Sequence, residues 1–247
     1  MTCYPKNQTG NPTFDKSVRN AHGTPASTVG QYEDYSKIVT NLEEENKKYV
    51  DSRSEFTYAN TVTASEGDLL DYILVSKLPH VQSKASYLKT FSFKDVLSPG
   101  LTYNKDVKIA IYNNADDAAV NNTTNAVAIW DNTQDLDGNY LFTVKEETVN
   151  NKKTNNTQLD ISMTEAGLKA INEQYHDYYM TVYYTVNVNS NGTAVLGDEG
   201  NPNDAKLTWE RTSKGYYDTL EDRNYVYTYG LDLTKKFSDG KGDATKV

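Results

Sequence analysis

The chain has 247 residues, of which 37% are hydrophobic and 20 are tyrosine. This length allows one large β domain or two small ones. The many tyrosines favour strands, in which a tyrosine ring can be half-buried while its hydroxyl contacts water. The formal net charge of −9 argues against nucleic-acid binding, because phosphate contacts need clustered lysine and arginine. No apolar run approaches the roughly 20 residues of a membrane span, and no secretory signal peptide is recognisable.

Residue types that carry catalysis or bind metals are sparse in the sequence. The single cysteine, Cys3, excludes an intramolecular disulfide and receives no role. The three histidines, His22, His80 and His176, are widely spaced and predict no metal site. We find no P-loop, dinucleotide fingerprint or Ser-His-Asp arrangement. We therefore expect neither a turnover enzyme nor a cofactor.

The chain alternates strand-like runs with turn-like clusters. A short alternating stretch over Thr13–Val18 comes first, and residues 31–55 carry many charges, which suits an exposed helix or a long loop. Runs rich in β-branched and aromatic residues then predict strands at Phe56–Ala64, Leu69–Ser76, Tyr87–Phe93, Val107–Tyr112, Ala126–Trp130, Tyr140–Val144, Leu159–Met163, Tyr178–Val188, Ala205–Trp209 and Tyr225–Leu233.

One helix is predicted at Met163–Tyr175, where Thr164 can cap the first turn and alanine and leucine supply a buried stripe. The many strands, separated by Asn-, Asp-, Gly- and Thr-rich clusters, are typical of a β-sandwich. We therefore predict an all-β, immunoglobulin-like sandwich over residues 11–229, with one or two short helices. Residues 1–10 read as the end of a preceding domain, and residues 230–247 as the start of a following one.

The segment Tyr4-Pro5-Lys6-Asn7 resembles the pilin motif of sortase-assembled backbone pilins of Gram-positive bacteria. The resemblance implies that Lys6 is the amine that joins one subunit covalently to the next. It also implies that the motif ends one domain and that a lysine about ten residues later opens the next.

Three further segments resemble the middle domain of that family, a CnaA-like sandwich with an internal Lys–Asn isopeptide bond. Lys16 lies in Pro12-Thr-Phe-Asp-Lys16-Ser-Val, which resembles the lysine strand. Asp68 lies in Gly67-Asp68-Leu-Leu-Asp-Tyr72-Ile, which resembles the strand of the catalytic acid. Asn203 precedes Ala205-Lys-Leu207-Thr-Trp209, which resembles the asparagine strand. The resemblance implies a Lys16–Asn203 bond with Asp68 as the acid, and Lys235 as the corresponding lysine of the next domain.

The chemistry of such a bond sets the requirements on these residues. The lysine must be neutral to attack a carboxamide, and burial lowers its pKa. The same burial keeps a carboxylic acid protonated, so that it can donate to the carboxamide and move protons. Two alternatives stay open at this point. Asn201 shares the strand face of Asn203, and Asp71 is a second candidate for the acid.

The predicted function is structural, with the chain as a shaft subunit of a covalently polymerised pilus, secreted and anchored to the cell wall. The resemblance implies other pilin subunits and a sortase as partners, together with host surface ligands. The alternative is an ancillary pilin or adhesin that binds a host protein or glycan, and a third reading is the β-sandwich module of a carbohydrate-active enzyme.

The oxygen-rich loop 131–139 could bind Ca²⁺ but lacks EF-hand spacing, so a plain loop is favoured.

Overall fold

A computed structural model describes residues 10–21, 58–81, 86–132, 138–151, 154–212 and 217–228. The described residues do not include Cys3, Lys6 or Lys235. They also leave out the predicted helix or loop at 31–55, residues 1–9 of the first flanking segment and all of 230–247. The strands are β1 (Asp15–Asn20), β2 (Thr61–Thr63), β3 (Leu69–Lys77), β4 (Leu88–Leu97), β5 (Leu101–Tyr103), β6 (Lys108–Tyr112), β7 (Ala128–Trp130), β8 (Phe142–Asn151), β9 (Thr154–Met163), β10 (Tyr179–Val188), β11 (Asn201–Arg211) and β12 (Tyr217–Tyr227).

The strands form two six-stranded sheets, so the predicted β-sandwich is confirmed. The first sheet has the order β1-β3-β10-β6-β7, and β5 pairs with the end of β10 that β6 does not reach. The second sheet has the order β2-β12-β11-β4-β9-β8. Within these sheets the β2–β12 pair is parallel and the others are antiparallel.

Two short helices interrupt the strands. α1 (Ala115–Ala119) was not predicted, whereas α2 (Glu165–Ala170) lies within the predicted helix and continues as a π-helical turn, Ile171–Tyr175. The predicted cap is confirmed, because the Thr164 hydroxyl accepts a hydrogen bond from the Gly167 N–H at 3.1 Å. Gly167 packs so closely on the chain that a Cβ there would lie 1.9 Å from the Leu141 carbonyl oxygen.

Alternation along the strands determines which side chains enter the space between the sheets. In β11, buried residues alternate with more exposed ones, so that Asn201, Asn203, Ala205, Leu207 and Trp209 share the inner face. β4 behaves in the same way, with Phe91, Phe93, Asp95 and Leu97 buried. Both patterns carry polar groups into an otherwise apolar core, and those groups form the candidate site.

Candidate functional site

Lys16 is fully buried between the two sheets. It lies on β1 opposite Leu74 of β3, and its Nζ donates to Asp95 Oδ1 on β4 of the second sheet at 2.6 Å. Both side chains are 0% exposed. Since lysine and aspartate are rarely buried unless paired, this contact across the sandwich is an unusual feature of the core.

The surroundings favour the reactive form of the amine. Burial lowers the pKa of Lys16, and the charge and hydrogen bond of Asp95 act in the opposite direction. The Nζ atom also lies 5.0 Å from the ring centre of Tyr72. The hydrogen bond to Asp95 gives a proton on this amine a direct acceptor.

Tyr184 on β10 connects Asp95 to Asn203. Its hydroxyl donates to Asp95 Oδ2 at 2.5 Å and accepts from Asn203 Nδ2 at 2.9 Å. Burial is the largest factor that raises the pKa of Tyr184, so the phenol stays protonated and available as a donor. A continuous set of hydrogen bonds thus runs from the Lys16 amine to the Asn203 carboxamide. The inter-sheet cluster comprises Lys16, Tyr72, Asp95, Tyr184 and Asn203, all 0% exposed.

The Asn203 Oδ1 atom of this cluster is buried and lacks a hydrogen-bond partner among the described residues. Burial raises the pKa of Tyr72, and the contact of its hydroxyl with the nearby Asn203 carboxamide opposes that effect. The Tyr72 ring stacks on Tyr184, with centroids 5.6 Å apart and planes 9° apart. Buried polar atoms are normally paired, so the unpaired Asn203 Oδ1 is a cost that a purely structural core would avoid.

The backbone of Lys16 is also fixed from the second sheet. Its N–H donates to Asp222 Oδ2 at 2.7 Å, and its carbonyl accepts from Asn224 Nδ2 at 3.1 Å. Asn224 donates as well to the carbonyl of Asn60 at 3.1 Å. These side chains of β12 hold β1 in the position that directs Lys16 inwards.

Asp68, the predicted acid, lies at the opposite end of β1. Its carboxylate accepts from Asn20 Nδ2 at 3.0 Å and from the Ser65 N–H at 2.8 Å. β1 and β3 pair Lys16 with Leu74, six positions from Asp68, which is about 20 Å along a strand. The structure therefore brings a different carboxylate, that of Asp95, to Lys16.

Asp71, the second candidate acid, points to the outer face of the first sheet. Its Oδ2 accepts from Arg19 Nε at 2.9 Å and also from the Tyr58 hydroxyl. Asp71 is buried, but adjacent strand positions alternate between faces, so it is separated from the inter-sheet cluster by the sheet itself.

Asn201 already has a structural role. Its amide exchanges two hydrogen bonds with the backbone of Val195, at 2.8 and 3.0 Å. It packs against Gly100, where a Cβ would lie 2.2 Å from Asn201 Oδ1. Of the two asparagines, Asn203 is the one that the structure connects to Asp95.

Asp95 and Tyr184 were not found by sequence reasoning, although a signal for each existed. The predicted strand ended at Phe93, whereas β4 continues to Leu97. Extending the alternation by two residues would have placed Asp95 on the apolar face. Tyr184 lies between Val182 and Val186 on one face of a predicted strand, and its hydroxyl there needed a partner.

The structure describes only part of the remaining predicted sites, Lys6 and the loop 131–139. Lys6 lies outside the described residues. Of loop 131–139, the structure describes Asp131, Asn132 and residues 138–139. No helix in the described residues is both long enough and apolar enough to cross a membrane.

The solved structures with a similar fold include pilins. The 35 kDa C-terminal fragment of the major pilin GBS80 of Streptococcus agalactiae superposes with a TM-score of 0.51, at 17% identity, over 94% of this chain and 61% of that one. The chain therefore has a fold similar to that of this major-pilin fragment. Lower similarity is found to the T6 backbone pilin of Streptococcus pyogenes (TM-score 0.47, 20% identity, 88% of this chain and 36% of that one) and to the major pilin SpaD of Corynebacterium diphtheriae (TM-score 0.44, 14% identity, 87% and 34%).

The chain thus spans between about a third and three fifths of these three pilin structures. No protein-family model matches the chain, and no curated protein matches it. The similarity is therefore one of fold, and the chemistry has to be argued from the inter-sheet cluster.

Proposed function

We propose that this chain is part of a structural subunit of a covalently polymerised surface pilus, and that it is stabilised by a self-formed Lys16–Asn203 isopeptide bond. The observation that carries the proposal is the buried hydrogen-bonded connection from Lys16 through Asp95 and Tyr184 to Asn203. The pilin fold supports the same assignment.

In the proposed reaction, Lys16 first passes a proton to Asp95, which lies 2.6 Å away. The neutral Nζ then attacks Cγ of Asn203, forming a new C–N bond. The bond to Nδ2 breaks, and ammonia leaves. The amide keeps one of the three lysine protons, one goes to the leaving nitrogen and one stays on Asp95. Since the reaction runs once in each molecule, the residues act in maturation and not in turnover.

Asp95 replaces Asp68 as the proposed acid, because it contacts Lys16 directly. Tyr184 has the position of a proton relay, since it contacts both the acid and the nitrogen that departs. The Asn203 Oδ1 atom accepts no hydrogen bond from the described residues, so the carboxamide oxygen stays available to a proton donor during the reaction.

The proposed bond would join the two sheets covalently. Lys16 belongs to the first sheet and Asn203 to the second, and their strands are far apart in sequence. Closing a loop of this length would contribute roughly 5 kcal/mol to stability in the chain-entropy treatment of cross-links. A pulled fibre could then not separate β1 from the sandwich without breaking a covalent bond.

The intact mass of the purified chain tests the bond, because each bond formed expels one ammonia and lowers the mass by about 17 Da. Asn203→Ala should retain the full mass, whereas Asn201→Ala should still lose about 17 Da. A parent protein at its full sequence mass, or a bond that survives Asn203→Ala, would refute the proposal.

The polymerisation proposal rests on Lys6 and needs a separate test. We propose that residues 1–10 and 230–247 belong to neighbouring domains, and that a sortase joins Lys6 to the next subunit at the cell surface. When the protein is co-expressed in its natural full-length context with its sortase, Lys6→Ala should abolish the high-molecular-weight ladder. Lys105→Ala, a change of an exposed lysine, is the matched control and should leave the ladder intact. A ladder that persists without Lys6 would refute this role.

A further inference from the structure

Two histidines that lie 96 positions apart in sequence meet at the surface of the first sheet. His80 follows the end of β3, and His176 lies in the turn that leads into β10. The two segments are held side by side, because the Leu78 N–H donates to the Tyr178 carbonyl at 2.7 Å. The imidazole rings meet edge to face, with centroids 5.6 Å apart.

Asp177 completes the group with a carboxylate. Its Oδ2 contacts Nδ1 of both imidazoles, that of His176 at 3.3 Å. The Asp177 backbone has φ +68°, a left-handed conformation that aspartate and asparagine tolerate better than most residues. One ligand atom from each of the three side chains lies within 4.8 Å of the others.

We propose that His80, His176 and Asp177 form a binding site for a divalent transition-metal ion such as Zn²⁺. Two imidazole nitrogens and one carboxylate oxygen are ligands that suit Zn²⁺ and its neighbours in the first transition row. In a tetrahedral zinc site with bonds of about 2.0–2.1 Å, ligand atoms are separated by roughly 3.3 Å. The observed group needs only small side-chain rotations to reach that spacing.

The present contacts agree with a carboxylate prepared for a cation. Partial burial raises the pKa of Asp177, but the hydrogen bonds and charges of His80 and His176 outweigh it and hold the pKa below its ordinary value. The three side chains are between 34% and 44% exposed, so an ion can enter from solvent and water can supply the fourth ligand. Metal binding needs imidazole nitrogens without a proton, so any proton on the nitrogens that bind the ion would pass to solvent.

The site has a structural consequence that is independent of the isopeptide bond. The ion would fasten the segment after β3 to the turn before β10, at the end of the first sheet where their pairing stops at Lys77 and Tyr179. Binding to the folded state alone would raise the melting temperature as Zn²⁺ is added.

Calorimetric titration of the chelator-treated chain with ZnCl₂ tests the proposal, in a Cys3→Ser background that removes the thiol. We expect one ion per chain and a higher melting temperature with Zn²⁺. His80→Ala and His176→Ala should each weaken binding at least about tenfold. Asp177→Asn keeps a residue that tolerates the left-handed backbone and should weaken binding as well.

His22→Ala is the matched control, because it removes the remaining histidine, and it should bind Zn²⁺ like the parent. Co²⁺ provides a second readout, since a tetrahedral complex gives intense visible absorption that the His176→Ala variant should lose. Absence of binding to the folded parent, or parent-like binding by both His80→Ala and His176→Ala, would overturn the proposal.

Discussion

Strand β1 carries a buried cation on each face of the first sheet, and each cation contacts a buried carboxylate. On the inner face Lys16 contacts Asp95, and on the outer face Arg19 contacts Asp71. Both pairs are close, at 2.6 and 2.9 Å, and both carboxylates are fully buried. Their chemical possibilities nevertheless differ.

The two pairs differ in the cation and in the groups to which the carboxylate is hydrogen-bonded beyond that cation. Arginine stays charged in proteins, so Arg19 cannot act as a nucleophile. Lysine can lose its proton when buried, and Lys16 has a carboxamide connected to its partner through Tyr184. Burial alone therefore does not make a reactive site. A deprotonatable amine, a proton acceptor and an electrophile must coincide.

Removing Asp95 should have the largest effect. Asp95→Ala leaves Lys16 buried without its partner, at a cost of about 3–5 kcal/mol, and loss of the proposed bond removes roughly 5 kcal/mol more. Chemical denaturation should show the loss of stability, and the intact mass should stay at the full sequence value. A folded variant that still loses about 17 Da would assign the acid elsewhere.

The outer pair provides the matched comparison. Asp71→Ala also removes the carboxylate partner of a buried cation and should cost about 3–5 kcal/mol. Because Asp71 lies on the other face of the sheet, the mass should still be about 17 Da below the sequence value. Comparison of the two aspartate variants thus separates the effect of losing an ion pair on stability from the effect on bond formation. If Asp71→Ala also kept the full sequence mass, bond formation would depend on more than the inner pair.

Tyr184→Phe should have an intermediate effect. It removes the hydroxyl between Asp95 and Asn203 while keeping the ring that stacks on Tyr72. Two buried polar groups lose a partner, which costs about 2 kcal/mol. We expect slower bond formation, seen as a mixture of masses early after refolding. Tyr183→Phe, one position away on the outer face, should form the bond at the parental rate. Equal rates in both variants would remove Tyr184 from the reaction.

Asp68→Ala should have the smallest effect. It removes the hydrogen bonds that Asp68 accepts from Asn20 and from the Ser65 backbone. We expect the free energy of unfolding to fall by about 1 kcal/mol, including the loss of support for the turn at Ser65. The proposed bond should form completely, since Asp95 and not Asp68 contacts Lys16. Full sequence mass in this variant would restore our first assignment of the acid.

Local pattern predicted most of the fold, because strand alternation and β-propensity are properties of neighbouring residues. The positions of β3, β6 and β10 are close to the predicted ones, and the cap at Thr164 is confirmed. β5 and α1 were missed, since each is too short to show a period. The lengths of β8 and β9 depend on their mutual pairing, which sequence pattern does not reveal.

The candidate site was harder to predict, because its members come from five strands of two sheets. Lys16 and Asn203 were named from the resemblance, and the structure places both in one buried cluster, while their bond stays a prediction. The identity of the acid depends on which carboxylate faces β1 across the sandwich. The way in which the two sheets pack determines that carboxylate, and the resemblance of short segments gave no information about sheet packing. The same reason explains why His80 and His176 looked unrelated in the sequence.

The backbone contacts of Lys16 carry a further consequence for assembly. β1 is the outermost strand in the order of the first sheet, and open strand edges can recruit other chains by hydrogen bonding. Here Asp222 and Asn224 occupy the amide and carbonyl of Lys16, and Ala59 exchanges two backbone bonds with Val18. These groups blunt the edge against templated aggregation. Because the backbone N–H and C=O groups of Lys16 and Val18 already have partners, they are not available to pair with a strand of another molecule, even at protein concentrations that favour nonspecific aggregation.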